Sequence, residues 1–220
     1  MTPPPPAPVE AVFFDVGETL ISENEIYGRW ADWLGVPRHT FLTRLGAFLA
    51  TGGSAMDAFR HFRPGFDLDR EEELRAEAGV PNGFGASDLY PDARACLAAL
   101  RAQGLFVGIA GNQPPAAVEQ IAALDLPADV VGISAAWGVE KPDPEFFARC
   151  ARLAGVPAER ILYVGDRVDN DVLPALAYGM QAAFLRRGPW GHIQSGDPAL
   201  AEATYVLDDL TTLSSLLTRA

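Results

Sequence analysis

A few residues at four places along the chain have side chains that suit one piece of chemistry. Asp15 and Thr19 follow a short apolar run, and Gly111 and Asn112 follow a second one. Lys141 stands in Glu-Lys-Pro, and Asp166 and Asp171 share the segment Gly-Asp-Arg-Val-Asp-Asn-Asp. Carboxylates gathered from different segments ligate a hard cation through oxygen, and a lysine beside them can meet an anionic group. The lysine stands out for a second reason. Sixteen of the seventeen basic residues are arginine and Lys141 is the only lysine, either because its site requires a compact point charge or as the chance survival of one lysine. Taken singly, each acid has a plainer reading. Asp15 could close a turn, and Asp169 and Asp171 could cap the next helix.

Such residues act together only if the fold brings them to one place. Residues 9–16 form a nearly continuous apolar run ending in an acid, the pattern of a buried parallel strand. From Tyr90 onward strand and helix alternate. Strands are expected over 105–110, 130–134, 160–164, 181–185 and 204–207, and helices over 91–103, 114–124, 144–154, 170–178 and the C-terminus. Gly104, Gly155 and Gly179 close three of those helices. Alternation of this kind implies an α/β fold, a Rossmann-like doubly wound parallel sheet whose ligand site lies beyond the C-terminal strand ends. Every residue singled out above falls at such an end or just after it. Residues 22–88 break the rhythm. They read as helix broken at Gly35, Pro37, Gly52–Gly53 and Pro64–Gly65, hence a small α-helical domain inserted after the first strand. The core is then 9–21 with 89–220, and 1–8 is a flexible proline-rich tail. Trp30 and Trp33 fall at helical spacing and are expected in the insert's core. The three histidines lack ligand spacing, and 186–191 reads equally as a rim of the site or as a solvated loop.

Composition bounds the partners. Of 220 residues, 49% are hydrophobic and 21% charged, enough to build a packed core. A net charge of −12 repels nucleic-acid backbones and anionic lipid, so neither nucleic acid nor membrane is expected as a partner. Two cysteines are too few for a disulfide framework and read as buried thiols. No secretory signal or spanning segment is legible, and a cytoplasmic protein, monomer or homodimer, is expected.

The four segments together resemble the motifs of the haloacid dehalogenase superfamily over roughly residues 9–210. Asp15-Val16-Gly17-Glu18-Thr19-Leu20 is similar to its first motif, which reads D-x-D-x-T in the phosphatases. Ala110-Gly111-Asn112 is similar to the second, Glu140-Lys141-Pro142 with Phe146–Phe147 nearby to the third, and the segment from Gly165 to Asp171 to the fourth, G-D-x-x-x-N-D. The resemblance implies a magnesium-dependent hydrolase, a phosphatase of a small phosphorylated metabolite with a helical cap. Asp15 would be the nucleophile and form an aspartyl-phosphate. Mg2+ would be held by Asp15, the backbone carbonyl of Gly17 and Asp166. Lys141 would bridge Asp15 and a phosphate oxygen, Asp171 would orient Lys141 or a metal-bound water, and Thr19 would tie down the loop. Thr19, Gly111, Asn112 and Lys141 would together contact the substrate phosphate.

Two positions depart from the family pattern. Gly17 stands where the phosphatases place a second Asp, the acid that protonates the leaving group, and losing such an acid costs about 10²–10⁴ in rate. Gly111 replaces a phosphate-binding Ser or Thr. The neighbouring Glu18 is a candidate substitute acid. Two other readings therefore stay open, a catalytically weak member that binds a ligand or partner, and a carbon–halogen dehalogenase. The retained acids of the fourth motif weigh against the latter. The Schiff-base route of phosphonoacetaldehyde hydrolases is closed, because the insert contains no lysine.

Overall fold

A computed structural model describes residues 7–80 and 82–217. The expected proline-rich tail falls largely on residues 1–6, outside the described residues.

The core unit comprises residues up to Ser22 and Leu89 onward. Its first strand, β1 (Ala11–Phe14), is buried at every position, as a strand covered on both faces must be. Helices and strands then follow one another, after the four insert helices described below. They are α5 (Ala93–Ala102), β2 (Phe106–Gly111), α6 (Ala117–Ala123), β3 (Val130–Ile133), α7 (Ser134–Trp137), α8 (Pro144–Ala154) and β4 (Ile161–Gly165). The chain continues through α9 (Leu173–Tyr178), β5 (Gln181–Leu185), α10 (Gly188–Ile193), β6 (Tyr205–Leu207) and α11 (Leu213–Leu216). The six strands pair in parallel in the order β3-β2-β1-β4-β5-β6. Because β2 and β4 flank β1, the chain changes direction at the β1–β4 pair, and a crevice opens at the carboxyl ends of those two strands. Phe13, Phe146, Phe147, Tyr163 and Phe184 fill the layer on one side of the sheet. Gly108 is small for the same reason, since a Cβ there would lie 2.2 Å from the Phe13 ring.

The second unit, Glu23–Asp88, is helical. It comprises α1 (Asn24–Leu34), α2 (Arg38–Ala50), α3 (Ala55–Phe62) and α4 (Leu68–Glu77). Gly35 ends α1 in the left-handed region at φ 69°, and Ser54 starts α3 with its N–H and hydroxyl both donating to Asp57. Its centre is aromatic. Phe59 stacks on Phe66 at 4.6 Å between ring centres, and Trp30 and Phe41 meet Phe59 at 5.3 and 5.2 Å. Buried Arg75 lays its guanidinium 3.9 Å over the Trp30 ring.

Three expectations are corrected in detail. Helix α5 starts at Ala93, after a turn at Pro91–Asp92, and not at residue 91. The helix expected over 170–178 is a π-helical turn, Val168–Val172, leading into α9. The stretch 186–191 is not a loop throughout, because Gly188–Ile193 is helical with Pro189 in its first turn. No helix among the described residues is long and apolar enough to cross a membrane. Cys96 and Cys150 are free and buried, and burial pushes both thiols up to about 12.

Candidate active site

Strand β1 delivers Asp15 to the crevice, and the Asp15 N–H donates to the Val164 carbonyl of β4 at 2.9 Å. Strand β4 delivers Asp166 one residue past its end, and the π-helical turn returns Asp171 to the same place. The three carboxylates are buried, and an oxygen from each lies within 4.8 Å of the others. Gly165 makes room for this return, since a Cβ there would lie 2.2 Å from an Asp171 oxygen.

Lys141 is 3% exposed and stands between two of the acids. Its Nζ lies 2.8 Å from Asp15 Oδ1 and donates to Asp171 Oδ1 at 2.5 Å. The rings of Tyr163 and Phe146 wall its slot at 5.3 and 5.9 Å. Burial alone would lower the lysine pKa, but the charges of Asp15 and Asp171 reverse that and hold it above its ordinary value. Burial, together with the Asp15 charge, pushes the Asp171 carboxyl up to about 6 against the pull of Lys141. Asp171 also accepts from the Arg167 N–H through its other oxygen, at 3.0 Å. Its two oxygens thus serve Lys141 and the turn backbone, the geometry of a brace. Three carboxylates face one lysine, and this buried excess of negative charge with all-oxygen donors fits a hard divalent cation.

The structure places the other expected site residues around the same centre. Asn112 receives the Lys141 N–H at 2.8 Å and donates to the Lys141 carbonyl at 2.9 Å, so its amide fixes the lysine's backbone. Gly111, the last residue of β2, lies close against Asp15, so a larger residue there would require that carboxylate to shift. A Cβ there would lie 2.5 Å from Asp15 Oδ1. Gly17 bridges Ile21 in a tight loop, which also carries Glu18 N–H to Ile21 carbonyl and Ile21 N–H to Val16 carbonyl bonds of 2.7 and 2.9 Å. Thr19 is fully buried, yet its hydroxyl has no hydrogen-bond partner among the described residues. The loop is tied instead by the Thr19 carbonyl, which accepts from Arg187 at 2.9 Å.

Sequence reasoning named Glu18 only as a substitute acid and did not single out Tyr90 or Arg187, which hold this loop. Glu18 has φ 50°, a left-handed conformation that costs a non-glycine residue about 1–3 kcal/mol. Its buried carboxylate accepts from the Tyr90 hydroxyl. Burial and Glu18 raise the Tyr90 pKa, so the hydroxyl stays a donor at neutral pH. Arg187 stacks over Tyr90 at 4.0 Å and pairs with Asp92 at 2.5 Å. The only signal for Arg187 in the sequence is its place just past β5, and for Tyr90 there is none.

The family model of haloacid dehalogenase-like hydrolases matches residues 9–179. The chain belongs to this family. Two relatives of this hydrolase are phosphatases by name. One is a glyceraldehyde 3-phosphate phosphatase of Methanopyrus kandleri, 30% identical over 206 residues, which span 83% of this chain and 86% of the relative. Another is a phosphoserine phosphatase of Thermus thermophilus, 35% identical over 198 residues, 83% of this chain and 78% of that one. Among solved structures, a dehalogenase with an intermediate complex superposes with a TM-score of 0.68 at 18% identity, covering 96% of this chain and 98% of that one. The latter likeness concerns the fold alone.

Proposed function

We propose that this hydrolase is a magnesium-dependent phosphatase of a small phosphorylated metabolite, working through an aspartyl-phosphate on Asp15. The observation that carries the reading is the buried set of Asp15, Asp166 and Asp171, with Lys141 bridging Asp15 and Asp171. Relatives named for phosphorylated three-carbon substrates support it. Asp15 and Asp166, with the Gly17 carbonyl, would hold Mg2+, which supplies positive charge where a carboxylate must meet a phosphate dianion.

The chain's own residues supply the rest. Lys141, kept charged by two carboxylates, stands beside the attacking oxygen and stabilises charge on the transferring group. Asp171 and Asn112 hold it there from both ends. An oxygen of Asp15 forms the new bond to phosphorus while the bond to the ester oxygen breaks. Water then hydrolyses the acyl phosphate, releasing phosphate and regenerating the carboxylate. With glycine at position 17, the leaving oxygen departs as an anion that takes its proton from solvent. The helical unit Glu23–Asp88 is proposed as the cap that selects the substrate, and the enzyme as cytoplasmic, monomeric or homodimeric.

Phosphate release from an aryl phosphate and from three-carbon phosphate esters, with and without Mg2+, tests this. Magnesium-dependent release supports the assignment. Halide release from a 2-haloacid with no phosphate release would overturn it in favour of carbon chemistry, and silence in both assays would leave a binding protein.

A further inference from the structure

We infer that Glu18, Tyr90 and Arg187 form a clasp that fixes the loop between Asp15 and Ile21, and that Glu18 is a positioning residue and not the missing proton donor. The inference deepens the phosphatase reading and rests on it for its kinetic arm only. A glutamate at φ 50° carries a backbone penalty that glycine would avoid, so something must hold it there. Three contacts do so. The Tyr90 hydroxyl donates to its carboxylate. The stem lies against Gly188, whose added Cβ would come within 2.4 Å of Glu18 Cγ and which is itself at φ 64°. The neighbouring carbonyl, that of Thr19, accepts from Arg187, whose guanidinium covers the Tyr90 ring.

The clasp has long reach for so few residues. Tyr90 follows directly on Leu89, which bridges Ile21, and the Tyr90 N–H donates to the Leu20 carbonyl at 2.9 Å. Arg187 is anchored in turn by Asp92, whose Oδ2 also receives the Leu210 N–H at 2.9 Å. The loop holding Gly17 is therefore stapled to the segment after Leu89 and to the start of α10. A proton donor must be free to meet the leaving oxygen. The Glu18 carboxylate is buried under Gly188 and engaged by a phenol, which is the arrangement of a strut.

The test uses the full-length protein and four variants, Glu18→Gln, Glu18→Ala, Tyr90→Phe and Gly188→Ala. Magnesium affinity is read by calorimetry, and kcat and KM are read on an aryl and an alkyl phosphate across pH. Glutamine still accepts from Tyr90 but cannot donate an acidic proton. Glu18→Gln should therefore stay within about 3-fold of wild type on both esters, with the pH profile unmoved. Glu18→Ala and Gly188→Ala should lose about 10–100-fold in magnesium affinity or kcat on both esters alike, with Tyr90→Phe in between. Selective loss of the alkyl ester in Glu18→Gln, with a shifted pH profile, would overturn the inference and make Glu18 the acid. Wild-type magnesium affinity and kcat in Glu18→Ala would overturn it too. If wild type hydrolyses neither ester, the phosphatase reading fails, and the magnesium arm still decides the clasp. Circular dichroism of each variant separates a lost clasp from a lost fold.

Discussion

The strand-end site and the helical unit bury charge in opposite ways. At the site three carboxylates crowd one lysine, a glutamate sits in a left-handed conformation, and nearly every contact joins residues far apart in sequence. In the helical unit the interior is a stack of rings, and the fully buried cation among its described residues, Arg75, rests on the face of Trp30. Excess like charge and backbone strain cost stability, whereas aromatic packing supplies it. The contrast teaches that the core gives up stability at one point for chemistry, while the insert is built for its own cohesion. Beside the site, Tyr163 packs on Phe147 at 5.3 Å between ring centres, in the core layer that also holds Phe13.

Substitutions can break or sharpen that contrast. The largest effect is expected from Asp15→Asn, which keeps the shape and removes the attacking charge, so phosphate release should fall to background. The same change relieves like-charge crowding, so in the absence of metal it should raise stability by about 0.5–2 kcal/mol, measured by denaturant unfolding. Destabilisation instead would mean that the lost ion pair with Lys141 outweighs the relieved crowding. Lys141→Arg should also be severely harmful, because a broad guanidinium does not fit a slot walled by Tyr163 and Phe146.

Next in size is Gly17→Asp, which restores an acid at the leaving group. Among the described residues the left-handed glycines include Gly35 and Gly188 but not Gly17, so an aspartate meets no φ penalty there. Wild type should favour esters with acidic leaving groups. The variant should gain up to about 10²–10⁴ on alkyl esters and little on aryl ones. Rates graded against leaving-group pKa decide it, and equal wild-type rates on both classes would show that a proton donor already exists.

Phe59→Ala tests the other side of the contrast. Removing the ring at the centre of the aromatic stack should cost about 3–5 kcal/mol, read by denaturant midpoint, with the magnesium affinity of folded protein unchanged. A loss of magnesium affinity as large as that of Asp166→Ala would erase the distinction between the two regions. The smallest effect is expected for Arg70→Ala. Its pair with Glu73 is largely exposed, and the change should shift stability by less than about 0.5 kcal/mol.

Much of this protein follows from its sequence alone. Apolar runs, glycine stops and the alternation of periods determine the parallel sheet, because strands buried on both faces leave a pattern that helices do not share. Helix α8 and strand β5 span the residues expected from that pattern. The same rule that puts ligands at strand ends places Asp15, Lys141 and Asp166 together before any coordinate is known. Only the tertiary structure decided that Gly111 lies against Asp15, a residue almost a hundred positions away. It likewise decided that Asn112 serves the Lys141 backbone, that a π-helical turn returns Asp171, and that Tyr90 and Arg187 hold Glu18. Local sequence encodes periodicity and turns, which short-range sterics and burial enforce. The bracing of a site depends on which side chains meet across long loops, and no local pattern records those meetings.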